Sequence, residues 1–163
     1  MTATYEKIAT TTLGSATNDV TFSSIPATYT DIVVICYAKV TTGSADLWFN
    51  FNSDTGSNYS ITFLSGSAST IQSVRNTNAT KMSVTNYGYL QTDFGAYIIN
   101  IQNYSNTTTY KCSLARANTT SNGLAAGAGL WRNTAAISTI KISPSADNFA
   151  TGSTFTLYGI KAA

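Results

Sequence analysis

Asp54-Thr55-Gly56-Ser57 spells the D-T-G-S signature of the aspartic proteases. Those enzymes hold two carboxylates that share a proton, and a homodimer supplies one from each chain. Here the motif follows Phe49-Asn50-Phe51-Asn52 and precedes another alternating segment, so a D-x-G hairpin turn accounts for it. Asn50, Asn52 and Asp54 alternate ahead of Gly56 in the manner of a calcium loop. The second acid and the bidentate Glu that such loops use are missing. Asp46 with Asp54 or Asp93 would supply two carboxylates for glycoside hydrolysis, but seven scattered acids make some pairing unavoidable by chance. Gly123 to Gly129 (GLAAGAG) has neither a following Lys-Ser/Thr nor a G-x-G-x-x-G spacing, so it reads as a tight bend or bulged strand. Cys36 has no His anywhere in the chain to activate it.

The composition agrees with this lack of chemistry. Ser, Thr and Asn supply 61 of the 163 residues, against one Glu, no His and only 10% charged residues. General acid-base catalysis needs a group whose pKa can be tuned to the working pH, most often His. The sequence therefore predicts no catalytic, cofactor-binding or metal-ligating residues, and no enzyme. It predicts an assembly or binding surface rich in hydroxyls and amides. Lys and Arg stand far apart and the net charge is only +2, which leaves nucleic-acid binding without electrostatic support. The start MTATYEKIATTTLG lacks the regions of a signal peptide, and no apolar run approaches the length of a membrane span. Synthesis in a cytoplasm, with no membrane partner, is the expectation.

The elements that would position any site alternate with period two, the strand signature. The predicted core is Phe49, Phe51, Ile61, Phe63, Met82, Val84, Cys112, Leu114, Ile140, Ile142, Phe155 and Leu157. Ile32 to Tyr37 (IVVICY) and Tyr97 to Ile101 (YIINI) are apolar on both faces, as central strands covered on two sides are. Gly, Asn and Ser clusters punctuate the strands with turn chemistry. The result is an all-β fold, a jelly-roll-like antiparallel β-sandwich of about ten strands. Residues 1–12 read as an N-terminal edge strand or an arm reaching a neighbouring subunit, and residues 13–163 as a single sandwich domain. Cys36 and Cys112 read as buried free thiols.

Ten Tyr, seven Phe and two Trp exceed what one small core needs. Tyr29, Tyr59, Tyr87, Tyr89 and Tyr104 fall in or beside turns, where a flat apolar ring with a polar tip suits protein interfaces and sugar stacking. They are the candidate binding residues.

Five segments, in order, carry a resemblance: SSIPATYTDIVV (Ser23 to Val34), NSDTGSNYS (Asn52 to Ser60), NYSNTTTYK (Asn103 to Lys111), GLWRNTAAI (Gly129 to Ile137) and the ending GSTFTLYGIKAA. From about Tyr5 onward the chain resembles a family of tailed-bacteriophage virion proteins with one jelly-roll-like β-sandwich. The resemblance implies a structural role in the virion, as a head decoration (cement) protein on the capsid surface or as part of a tail fibre. Decoration is favoured by the compact domain and by the absence of a shaft repeat. It implies as partners the major capsid protein or other virion proteins and further copies of the chain, as a homotrimer. Under the alternative, a receptor-binding module of a tail fibre or spike, the partner is a host glycan.

Overall fold

The computed structural model describes residues 4–67, 70–85, 88–119 and 121–161. Twelve strands among them form two antiparallel sheets. The larger runs β1 (Tyr5–Thr12), β12 (Thr154–Ile160), β3 (Asp31–Ala38), β8 (Gly95–Gln102), β9 (Lys111–Thr119), β10 (Gly123–Trp131), β5 (Tyr59–Ser67) and β6 (Thr70–Ala79). The smaller runs β2 (Val20–Phe22), β11 (Ile140–Pro144), β4 (Leu47–Phe51) and β7 (Met82–Ser83). The two inner faces meet in one apolar core, so the fold is an all-β sandwich of unequal layers. No helix of the described residues is long and apolar enough to cross a membrane.

The period of two explains most of the packing. In β4, Leu47, Phe49 and Phe51 turn inward and are almost completely buried, while Trp48 and Asn50 turn outward. β11 puts Ile140 and Ile142 inside, and β12 does the same with Phe155 and Leu157. Phe155 meets Phe149 edge-on, with ring centroids 4.8 Å apart and planes at 64°. The apolar runs at β3 and β8 are paired with each other near the middle of the large sheet, but they are covered on the core side only: Ile35 and Tyr37 on the outward face of β3 are exposed. β1 hydrogen-bonds along β12 and forms one edge of that sheet.

β9 corrects the expected core. Its apolar residues face solvent: Leu114 is 57% exposed and Cys112 is exposed, while Lys111 and Ser113 point inward and are buried. Cys36 and Cys112 are both free thiols, but only Cys36 is buried. The reason lies in the neighbouring strand. GLAAGAG is no bend; Gly123 to Trp131 pairs without register shift with β9 on one side and β5 on the other. Its inward Gly127 and Gly129 leave room for side chains that reach across from other strands. A Cβ on Gly129 would lie 2.4 Å from the Met82 sulfur and 2.6 Å from the Ser113 hydroxyl. Met82 and Phe63 thus fill the volume that Cys112 and Leu114 would have needed. Lys111 is accommodated because its ammonium donates to the carbonyls of Thr109 (2.7 Å) and Thr134 (3.1 Å), although burial lowers its pKa.

Candidate functional site

The motif residues are spent on structure. The Asp54 carboxylate accepts hydrogen bonds from Trp131 Nε1 (2.7 Å), Asn58 Nδ2 (2.9 Å) and the Gly56 amide (2.8 Å). Burial pushes its pKa up, but these donors and Asn133 outweigh that and hold it below the ordinary value. A carboxylate so saturated is a loop fastener, not an acid-base catalyst. The Asn50 amide donates to the carbonyls of Asp54 and Thr80, and the Asn52 side-chain oxygen accepts from the amides of Ser138 and Thr139. Asn52 and Ser53 adopt positive φ (51° and 58°), which turns the chain after β4. The oxygens that suggested a calcium loop are therefore largely engaged. Among the described residues no group of three or more His, Cys, Asp or Glu gathers at one place.

The tyrosine candidates scatter. Tyr59, Tyr89 and Tyr104 are buried, and none of the three offers a ring to a partner. Their hydroxyl or backbone groups serve the interior. Tyr59 donates to the Asp54 carbonyl and accepts from the Phe51 amide, both at 3.1 Å. Tyr104 donates to the Pro26 carbonyl, and Tyr97 donates to the Tyr89 carbonyl at 3.0 Å. Tyr29 is half-buried; it lies over Gly159, where an added Cβ would sit 2.2 Å from its ring, and its hydroxyl donates to Glu6 at 3.3 Å. Tyr87 lies outside the described residues. Tyr59, Tyr89 and Tyr104 fall beside turns, but a sandwich closes over its ends, and large rings there plug the core.

Two surfaces replace them. The first is the outward face of the large sheet. Tyr37, Leu64, Leu114 and Leu124 occupy outward positions on β3, β5, β9 and β10, and each is more than half exposed. Leu64, Leu114 and the small residues Ala126 and Ala128 line a shallow groove of about 710 Å³ across β5, β10 and β9. Arg116 and Asn100 border it. Leu64 stands opposite Ala126, and Leu114 opposite Ala128, so bulk alternates with absence across the strands. The apolar phase of β9, which breaks the core pattern, belongs to this face.

The second surface lies on the other side of β5. Between the edge of the small sheet and β6 runs a mixed polar and apolar groove of about 490 Å³, lined by Trp48, Asp46, Asn76, Asn78, Lys81 and Ser83 among others. Lys81 holds its ammonium 3.7 Å from the centroid of the Trp48 ring. Burial, and then the charge of Lys141, lower the Lys81 pKa. Asp46 moves the opposite way: burial raises its pKa against the hydrogen bonds from Gly88 and Thr85. Trp48 was legible as an outward residue from the alternation of β4. That it shares a groove with Asn76, 28 positions downstream, was not.

No family model and no curated protein matches the chain.

Proposed function

We propose that this protein is a non-enzymatic structural subunit of a tailed-phage virion, a jelly-roll-like decoration protein that docks on the capsid through the open face of its eight-stranded sheet. One observation carries the reading: the exposed Leu64, Leu114 and Leu124 gather on a single sheet face around a wide groove. Contiguous apolar surface of this kind marks an interaction site more often than it marks a monomer's idle surface. The same face carries few charges, so docking there removes apolar area from water without stripping many ions of their hydration. The ordered sequence resemblance to tailed-phage virion proteins supplies the kind of assembly.

Homotrimerisation accompanies the docking. The few repelling charges set a low barrier to self-association, and closed symmetry avoids open filaments.

Quantitative mass spectrometry of purified particles tests the role. Decoration requires on the order of hundreds of copies per particle, as a symmetric shell offers many equivalent positions; a handful of copies overturns it. Leu64→Asp and Leu114→Asp change exposed residues and so should leave the fold intact while abolishing particle association. Association that survives both substitutions removes the sheet face from consideration. Salt at ~1 M should leave association of the parent chain unchanged, because screening acts on charges.

A further inference from the structure

We propose that the groove between Trp48 and β6 is a binding site for a neutral saccharide. The site lies apart from the docking face: β5 presents Ile61 toward this groove and Thr62 and Leu64 to the outward face, and Phe63 alone borders both. A subunit docked by one face therefore leaves this groove open.

The lining matches what a hexose offers, which is an apolar ring face edged by hydroxyls that both donate and accept. Trp48 supplies a flat apolar plate beside polar groups. Among the described residues the Asn76 amide has no hydrogen-bond partner, which leaves a donor and an acceptor at fixed spacing on the opposite wall. Asp46 accepts from the Gly88 amide at 2.9 Å and from Thr85 at 3.3 Å, both through one oxygen. A carboxylate has about four acceptor positions, so capacity remains for a sugar hydroxyl. Lys81 brings the charged donor. Among the described residues it has no carboxylate partner, and only the Trp48 ring holds it.

Lys81 covers the plate. Its four-carbon stem is flexible, and an ammonium over an accessible ring is held weakly. Swinging aside, it exposes the ring and keeps its ammonium within the groove as a donor to a hydroxyl. One acid and one base leave the groove near neutrality, which favours an uncharged sugar over a uronic or phosphorylated one. The volume of about 490 Å³ suits one or two hexose units.

An array of neutral and acidic hexose oligosaccharides, probed with the full chain, tests the assignment. Expected is saturable retention of at least one neutral oligosaccharide, little changed by salt. Titration with that oligosaccharide should alter tryptophan fluorescence. Trp131 is fully buried, so the change belongs to Trp48. Trp48→Ala should weaken binding by about tenfold or more, while Trp48→Phe, which keeps a ring, should stay within about threefold. Asn76→Ala changes an exposed residue and should weaken binding severalfold in a chain that melts like the parent. Leu114→Asp should bind the sugar normally even where it no longer joins particles. The proposal is overturned by an array with no neutral ligand at about millimolar concentration, by binding that Trp48→Ala leaves intact, or by retention of acidic sugars alone that salt abolishes.

Discussion

Phe155→Ala and Leu114→Ala should separate sharply, although both residues sit at alternating apolar positions within strands. Phe155 has no exposed surface and packs edge-on against Phe149 at 4.8 Å. Truncation removes the burial of most of a phenyl ring, deletes an aromatic pair and leaves a cavity between two sheets. Such changes cost about 3–5 kcal/mol. For a chain of this length that amounts to a fall in Tm of roughly 9–15 °C. Leu114 is 57% exposed on the outward face, so its truncation removes little buried area and should cost less than about 0.5 kcal/mol. Urea titration followed by tryptophan fluorescence measures both, because Trp131 is buried in the native state and is released on unfolding. Unchanged slopes would confirm that the midpoints report stability. A Phe155→Ala cost below about 1 kcal/mol, or a Leu114→Ala cost above about 2 kcal/mol, would refute the face assignment of both strands.

Thiol titration of the native chain should find one fast-reacting cysteine, Cys112, because Cys36 is fully buried and burial pushes its thiol pKa far up; after unfolding without reductant, two per chain should react. Asp54 should contribute to the acid limb of stability. Its folded pKa is depressed, so its contribution is complete above the ordinary carboxylate value and disappears as pH falls through the folded one. Asp54→Asn should flatten that limb in thermal melts recorded from neutral pH down to about pH 2, and an unchanged limb would show that the Trp131 contact does not discriminate the charged form.

The class of fold was legible in the sequence because alternation is a local property of a strand. Phe49 and Phe51, Ile140 and Ile142, and Phe155 and Leu157 reveal their phase within a few residues, and their burial follows. The loop role of Asp54 was legible for the same reason, since a D-x-G turn needs only its neighbours. β9 shows where local reasoning stops. Alternation says that two faces differ but not which one turns inward, and a one-residue choice of phase moves every side chain to the other side. There the decision belonged to Gly127 and Gly129 on the adjacent strand and to Met82 and Phe63, whose bulk occupies the space those glycines leave. Tyr59, Tyr89 and Tyr104 are buried because a turn in sequence can still be a lid over the core. Both candidate surfaces are products of the same cause. Leu64 and Leu114 lie on strands separated by β10, and Trp48 and Asn76 share a groove only because the two sheets lie beside each other there. Composition and period dictate strands and a core, while strand order and the filling of volume between the sheets decide which side chains are left for a partner.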